Sequence, residues 1–259
     1  MKIEQIYTGC LAQGAYYIES NGEAVIIDPL RDTKAYTDRA NASGAKIKYI
    51  LETHFHADFV SGHLDLQVYT GATIVFGPNA KTEFISHIAT DGEILQVGNC
   101  TIEVLHTPGH TMESTCYLLR DENGKQVAVF TGDTLFIGDV GRPDLAQKAG
   151  ELTKEDLAGY LYDSLRNKLM PLENDITVYP AHGAGSACGK NIQEVTAGLL
   201  PPPFYFPENV AMNKKGVSSL EGVVQNSLKP LSVEAFTVLM EDDSVLLLDV
   251  RGAQVFCKG

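Results

Sequence analysis

The sequence predicts an α/β fold, and two observations support that class. Short apolar runs rich in β-branched residues recur along the chain, and most end in or near Gly, Pro, Asp or His, as strands do where they enter loops. Stretches with helical signals are interleaved with these runs. Strands that alternate with helices are typical of the α/β class.

The predicted elements can be read off in chain order. The strands are AYYIES, AVIIDP, IKYILETH, TIVFG, TIEVLHTPGH, STCYLLR, VAVFTGD and ITVYPAHG. The first helix, DTKAYTDRANASG, ends at Gly44, a residue type that caps helix C-termini. The segment AKTEFISHI also has a helical pattern. The helix TKEDLAGYLYDSLRNKL begins at the N-cap Thr153, and its acidic first turn and basic last turn suit the helix dipole.

Composition and charge argue against several classes of function. A chain of 259 residues, 44% of them hydrophobic, can form one large domain or one and a half small ones. The formal net charge of -13 opposes binding to nucleic-acid phosphates, which needs clustered Lys and Arg. No run approaches the length of a membrane span, and the start lacks a signal-peptide pattern. We therefore expect a cytoplasmic protein without nucleic-acid or membrane partners, and a homo-oligomer is left open.

Cysteine usage gives no sign of a disulfide framework. The five cysteines are odd in number, widely spread and include no CxxC pair, which also argues against a structural zinc knot. We expect most of them to be small buried side chains.

Several predicted strands end in residue types that bind metals. If these ends meet at one edge of a sheet, distant segments build a single cluster, which is more specific than any one motif. The ligand-type residues, in chain order, are His54, His56, Asp58, His110, Asp133 and His182. The other histidines, His63, His87 and His106, are expected to be structural or solvated, with His63 inside a helix that begins near Phe59.

These residues resemble the signature of the metallo-β-lactamase superfamily, which is HxHxDH followed by a His, an Asp and a final His. The resemblance covers roughly residues 1–200 and implies an αββα sandwich with metal at the sheet edge. Phe59 stands where the dinuclear members of the family have a His for the second metal. Without that imidazole, Asp58 and His182 would hold a second cation poorly, so one metal is expected.

Within the superfamily, THFHADF, HTPGHTMES, TGDTLFIGDVGRPD and YPAHG most resemble the persulfide dioxygenases. These relatives of glyoxalase II hold one iron and oxidise the outer sulfur of a thiol persulfide to sulfite. The GRPD element, Gly141 to Asp144, resembles the GRxD of the dioxygenases. The resemblance implies one Fe(II) per chain on His54, His110 and Asp133, with O₂ and a small-molecule persulfide, of glutathione or coenzyme A for example, as substrates. Two His and one carboxylate with open positions are the ligand set of non-haem Fe(II) oxygenases.

Further residues are expected to serve this site. His56, Asp58 and His182 are predicted catalytic residues, of which His56 and Asp58 orient ligands and hydrogen-bond to bound water or substrate. Whether His56 is itself a metal ligand, as in the zinc hydrolases, is left open.

Two residues are predicted to bind substrate. Arg142 can offer a planar fork to a substrate carboxylate, with a salt bridge to Asp144 or Asp139 as the alternative. Cys188 could be a reactive thiol at a helix N-terminus, or else a buried inert cysteine. Together with Arg142, Lys148 and Lys190 are the positive charges expected to offset the repulsion of an anionic substrate by the acidic protein.

The carboxyl-terminal end predicts a change of domain. Residues 201–229 are Pro-rich and aromatic and are predicted to be a linker that wraps the first domain. Residues 230–259 resemble the opening of a rhodanese domain, incomplete and with Cys257 in the wrong place for a catalytic cysteine. The alternative is a plain helix and strand that complete the first domain.

Two other functions compete with the dioxygenase. One is a zinc hydrolase of thioesters of the glyoxalase II kind, which Phe59 disfavours. The other is a sulfane-sulfur binding or sensing module in which the metal is structural. The fold cannot choose among them, because one fold hosts many chemistries.

Overall fold

The computed structural model describes residues 1–147, 150–183, 188, 203–227 and 232. Within these described residues, eleven strands lie in two sheets. The first sheet contains, in order across it, β1 (Lys2–Thr8), β2 (Gln13–Ser20), β3 (Glu23–Ile27), β4 (Lys46–Glu52), β5 (Thr73–Phe76) and β6 (His87–Ile88). The second contains β7 (Ile94–Val97), β8 (Cys100–His106), β9 (Thr115–Arg120), β10 (Gln126–Gly132) and β11 (Thr177–Pro180), in the order β11-β10-β9-β8-β7.

The helices flank these sheets or follow them in the chain. They are α1 (Lys34–Ser43), α2 (His63–Thr70), α3 (Lys154–Ser164) with a π-helical continuation over Leu165–Leu169, α4 (Phe206–Lys215) and α5 (Leu220–Ser227). Two predicted ends are confirmed. Gly44 caps α1 in the left-handed conformation at φ 69°, and Thr153 begins α3 in a reciprocal capping box with Asp156.

Alternation along the strands builds the layers. Tyr16 and Ile18 of β2 pack in the cluster between the two sheets, whereas Tyr17 packs on the other side with Tyr36 of α1. This two-residue period is that of a strand buried on both faces. On the second sheet, Leu118 contacts the π-helical turn through Leu169. The layers are therefore α, β, β and α, and the predicted αββα sandwich is confirmed.

The ends of the two sheets are tied together at the edge that carries the site. Strands β3, β4 and β5 are parallel to one another, and β11 is parallel to β10. The backbone N–H of Thr115 donates to the carbonyl of Thr53 at 2.9 Å, and that of Gly14 donates to Ala181 at 2.8 Å. Each bond joins the residue that follows a strand of one sheet to the start of a strand of the other sheet, so side chains from both sheets meet at this edge.

Two local predictions were wrong because tertiary contacts override local pattern. The segment AKTEFISHI is not helical and ends in β6, because the N–H of Glu83 donates to the carbonyl of Lys214 at 2.9 Å instead of continuing a helix. Helix α2 begins at His63 rather than near Phe59. The N–H of Ser61 donates to the side chain of Asn213 at 2.8 Å, which holds the preceding backbone in a loop.

The chain divides into two compact units, Met1–Ser219 and Leu220–Gly259. Helix α4 belongs to the first unit, and α5 belongs to the second. The predicted domain boundaries at residues 200 and 229 stay predictions. The predicted rhodanese-like segment and Cys257 lie outside the described residues, apart from Ser232. Among the helices of the described ranges, none has the length and apolar character that crossing a membrane requires.

Candidate metal centre

Three strand ends bring the predicted metal ligands together. His54 follows β4, His110 follows β8 and Asp133 follows β10, and all three are buried. The Nε2 atoms of His54 and His110 lie 3.8 and 3.4 Å from Oδ2 of Asp133. One ligand atom from each residue lies within 4.8 Å of the others, which is the spacing that a shared cation needs. The geometry is that of the predicted triad, whose role as the ligand set stays a prediction.

The tautomer of His54 is fixed by a chain of hydrogen bonds. The hydroxyl of Thr53 donates to Oδ2 of Asp28 at 2.8 Å, so its oxygen accepts from Nδ1–H of His54 at 3.0 Å. The backbone N–H of Thr53 also donates to Asp28, at 2.7 Å. His54 therefore keeps the lone pair of Nε2 toward Asp133, as a metal-binding imidazole does.

His110 is oriented in the same way by the loop after β10. Its Nδ1 lies 3.0 Å from the carbonyl oxygen of Arg142, which can only accept, so Nδ1 carries the proton and Nε2 faces Asp133. Gly141 allows this approach. A Cβ there would lie 2.0 Å from the carbonyl of Asp133 and 2.9 Å from Nδ1 of His110. The Gly of the GRPD element is thus required by close packing around the site.

Unpaired buried atoms at the centre fit a cation. Both carboxylate oxygens of Asp133, both ring nitrogens of His182 and Oδ1 of Asp58 have no hydrogen-bond partner among the described residues. Buried polar atoms are nearly always paired, so these atoms have room for a ligand bond. Burial, and then the neighbouring imidazoles of His56 and His110, hold the pKa of His54 well below its ordinary value. Its imidazole is therefore neutral, which is the form that binds a metal.

His56 belongs to a different group. Its Nε2 lies 3.1 Å from Oδ1 of Asp28 and 3.4 Å from Oε2 of Glu52, although neither approach is aligned as a hydrogen bond. Burial alone would lower the pKa of His56, but the charges of Asp28 and Glu52 outweigh it and hold that pKa well above its ordinary value. Phe59 stacks on the other side of the ring, with centroids 4.2 Å apart and an interplanar angle of 26°.

A second group of ligand-type side chains adjoins the triad. Nε2 of His182 lies 3.4 Å from Oδ2 of Asp58 and 3.5 Å from Oδ1 of Asp133. Asp133 thus turns one oxygen to each group. Cys188 is buried and completes this cluster, with ligand atoms of Asp58, His182 and Cys188 within 4.8 Å of one another. The predicted helix after Cys188 lies outside the described residues.

The side chain of Arg142 forms a salt bridge within its own loop. Its Nε and one terminal nitrogen donate to the two oxygens of Asp144 at 3.0 and 2.6 Å, and the side chain is buried. This is the salt bridge that the sequence offered as the alternative to substrate binding. The N–H of Arg142 also donates to the carbonyl of Cys188 at 3.0 Å. Lys148 and Lys190, the other predicted positive charges, lie outside the described residues.

A cavity of about 480 Å³ is lined in part by His110 of the triad. Its wall is apolar in part, with Phe55, Leu145 and Val210 among its lining residues. Two ammonium groups lie along it, from Lys81 and from Lys214, whose Nζ sits 5.0 Å from the centre of the Phe55 ring. One carboxylate, that of Glu113, also lines the cavity. The two ammonium groups and the apolar wall suit an organic anion.

Sequence reasoning missed several residues that build this site. Asp28 ends the strand run AVIIDP, which is the same signal that identified Asp133, and Thr53 precedes His54 directly. Both could have been identified from the sequence, because each lies near the end of a predicted strand. Of the three histidines set apart from the site, His63 bonds to Glu52 at 3.0 Å, whereas His87 lies at the surface.

Comparison with known proteins supports the same family. A model of the metallo-beta-lactamase superfamily matches residues 8–182. A probable hydroxyacylglutathione hydrolase of Schizosaccharomyces pombe is 32% identical over 167 residues, which make up 63% of this chain and 60% of that protein. The chain therefore spans less than two thirds of this relative's length. Several further curated relatives are also named hydroxyacylglutathione hydrolase.

Solved structures extend the likeness to the whole sandwich. A metallo-beta-lactamase from Staphylococcus aureus subsp. aureus COL aligns over 100% of this chain and 82% of its own, with a TM-score of 0.77 and 28% identity. ETHE1 from Myxococcus xanthus aligns over 83% of this chain and 98% of its own, with a TM-score of 0.67 and 26% identity. Because the family model spans more than half of the sequence and the layers and the ligand cluster agree with it, the chain belongs to the metallo-beta-lactamase superfamily.

Proposed function

We propose that the protein is a persulfide dioxygenase with one iron(II) held by His54, His110 and Asp133. The observation that carries the proposal is that Nε2 of His56 lies against Asp28 and Glu52 and not in the triad, although its ring is 4.2 Å from that of His54. His56 faces Asp28 and is covered by Phe59, so two His and one carboxylate remain. That ligand set leaves open positions and is the one used by non-haem Fe(II) oxygenases. The likeness of THFHADF and GRPD to the persulfide dioxygenases supports the same reaction.

The proposed reaction converts a thiol persulfide, O₂ and water into thiol, sulfite and two protons. The sulfur–sulfur bond breaks, the outer sulfur is oxidised and O₂ is reduced. Iron(II), when bound, supplies the redox chemistry with O₂ that this oxidation needs. The chain's own residues bind the persulfide and hold the ligands in place.

Binding of the organic part is assigned to the cavity. Lys81 and Lys214 would attract the carboxylates of glutathione or the phosphates of coenzyme A, while Phe55 and Val210 contact the apolar part of the carrier. A thiol bound in this way could place its sulfur beside His110, which is the member of the triad that lines the cavity. The site thereby positions the persulfide sulfur beside the triad.

Asp58, His182, Cys188 and Arg142 complete the proposal. Asp58 and His182 lie beside Asp133 and would hydrogen-bond to substrate or water at the centre. Cys188 would place a thiol next to the sulfur of the substrate. For Arg142 to bind a substrate carboxylate, that carboxylate would have to replace Asp144 at the guanidinium.

A zinc thioester hydrolase is the second candidate, and two observations favour it. The curated relatives are named hydroxyacylglutathione hydrolases. The cluster around His182 also offers ligand atoms for a second cation beside Asp133. Zinc, when bound, would supply a nucleophilic water near neutral pH. Phe59 opposes this candidate because it replaces a ligand-type residue by an apolar ring.

Metal content and O₂ uptake, measured on the same preparation, distinguish the two functions. We expect about one iron per chain after anaerobic purification, and O₂ uptake with glutathione persulfide that matches the sulfite formed. Two zinc ions together with hydrolysis of a glutathione thioester and no O₂ uptake would establish the hydrolase. Persulfide binding at equilibrium without O₂ uptake would instead indicate a sensing module.

A further inference from the structure

Helix α4 lies against the loop that carries His56 and Asp58. Residues 53–62 of this loop are not in a helix or a strand, apart from an isolated bridge between Ser61 and Leu30. Their backbone N–H and C=O groups therefore need partners from elsewhere in the protein. Several of these partners come from α4, which follows the loop by about 150 positions in the chain: Asn209 is 152 residues after Ala57.

Asn213 uses its whole side-chain amide on this loop. Its Nδ2 donates to the carbonyl of His56 and to the carbonyl of Phe59, each at 2.9 Å. Its Oδ1 accepts from the N–H of Ser61 at 2.8 Å. The residue is 2% exposed. One turn earlier on the same helix face, Asn209 donates to the carbonyl of Ala57 at 2.9 Å.

These contacts enclose the turn that presents Asp58. The two carbonyls bound by Asn213 belong to residues on either side of Asp58, and the ring of Phe59 in turn stacks on His56. A shift of this turn would move Asp58 away from His182, which lies 3.4 Å away. It would also loosen the segment that continues back to His54.

We propose that Asn213 is a positioning residue of the metal centre, which acts by holding the backbone on both sides of Asp58. It does not touch the triad itself. The inference goes beyond the proposed function, because it holds for iron or zinc and for either reaction. It also gives α4 a task at the site in addition to lining the cavity through Val210 and Lys214.

The substitution Asn213→Asp tests this role with almost no change of volume. Aspartate can still accept from the N–H of Ser61, but its second oxygen would face the carbonyls of His56 and Phe59 and cannot donate to them. Asn209→Asp is the matched control, because it makes the same chemical change one turn away at a position with a single bond to the loop. Asn213→Ala removes the amide without adding charge and serves if the Asp variant does not fold.

The measurements are Co²⁺ binding to the metal-free full chain, the visible spectrum of bound Co²⁺, and thermal unfolding of the metal-free protein. We expect Asn213→Asp to weaken Co²⁺ binding by about 10- to 100-fold and to alter the spectrum, as loss of a partner behind a metal site does. The Co²⁺ affinity of Asn209→Asp should stay within about threefold of that of the parent protein.

Two results would overturn the assignment. One is a variant at position 213 that unfolds at a lower temperature but binds Co²⁺ with the parent affinity and spectrum. Such a result would show that the role of Asn213 is purely structural. The other is an equal loss of affinity in Asn209→Asp, which would make the docking of α4 as a whole responsible. Neither result depends on which reaction the enzyme catalyses.

Discussion

Phe59 and Thr53 show how single side chains set the properties of this centre. Phe59 is buried against His56 at a position where a His would add an imidazole beside Asp58. Thr53 joins Asp28 to His54 and fixes which nitrogen of His54 carries the proton. Phe59 therefore bears on how many cations the loop can hold, and Thr53 bears on how well the first cation is bound.

Replacing Phe59 by His should add a second cation. The variant restores the full HxHxDH pattern, and the new imidazole would join Asp58 and His182, which already lie 3.4 Å apart. We expect about two Zn²⁺ per chain in place of about one, and slower persulfide oxidation, because a second ion would compete for Asp133. Equilibrium dialysis followed by metal analysis measures the number of ions, with Phe59→Leu as the apolar control. A His variant that binds one ion and oxidises persulfide at the parent rate would show that Phe59 only fills the core.

Replacing Thr53 by Val should weaken the first cation site without disturbing packing. Valine matches the shape of threonine but removes the hydroxyl, so Nδ1 of His54 loses its acceptor and the imidazole can change tautomer. We expect metal affinity to fall by about 10- to 100-fold. Thr70→Val is the control, because its hydroxyl donates to the carbonyl of Leu66 and accepts from the N–H of Ala72, neither of which belongs to the metal centre. Equal affinities for the two variants would contradict this role of Thr53.

At the scale of elements, the loop after β10 connects three parts of the site. It begins with Asp133, brings Gly141 against that residue's carbonyl, and places the carbonyl of Arg142 on His110. The GRPD pattern is therefore explained by backbone geometry as well as by the side chain of Arg142. Its glycine is needed for contact and not for an unusual φ angle, since no left-handed φ is found there.

Adding a methyl group at Gly141 should disturb the triad. In Gly141→Ala the new Cβ would lie 2.0 Å from the carbonyl of Asp133, and backbone atoms must move to relieve this overlap. We expect metal affinity to fall by at least about tenfold and stability by about 1–3 kcal/mol. Gly159→Ala is the control, since that exposed glycine in α3 has open space around its Cβ and should gain up to about 1 kcal/mol. Metal titration and urea unfolding measure both quantities, and parent-like binding by Gly141→Ala would refute the packing argument.

At the scale of the whole molecule, the net charge of the protein has the same sign as the charge of the proposed substrates. The chain carries a formal net charge of -13, and the proposed substrates are anions. Screening at physiological salt limits the field of distant carboxylates to about 8 Å, so the nearest charges dominate inside a cavity. Those include Lys81 and Lys214, neither of which forms an ion pair with any described residue.

Neutralising these two lysines should raise KM and leave kcat near its parent value. An exposed ion pair is worth about 0.2–1 kcal/mol, so Lys81→Gln and Lys214→Gln should each raise KM for glutathione persulfide by up to about fivefold. The effect should shrink as salt is added. Lys46→Gln is the control for net charge, because Lys46 begins β4 and His54 follows the other end of that strand. A rise in KM of the same size in Lys46→Gln would show that the cavity lysines have no special part in binding.

Much of the fold, and the residues that meet in the candidate metal cluster, could be predicted from sequence, because both depend on local signals. Strand runs that end in His or Asp identified His54, His110 and Asp133, and the caps of α1 and α3 were readable from Gly44 and Thr153. The weak helical pattern of AKTEFISHI was misleading, because a contact with α4 satisfies that backbone in another way.

The sequence by itself determined which residue types reach the edge of the sheet, since strand period and strand ends are properties of neighbouring residues. Only the tertiary structure decided how they group. It set Nε2 of His56 against Asp28, and it brought Asn213 to the loop from 157 positions away. Such partnerships depend on distances between segments far apart in the chain, which no local pattern encodes.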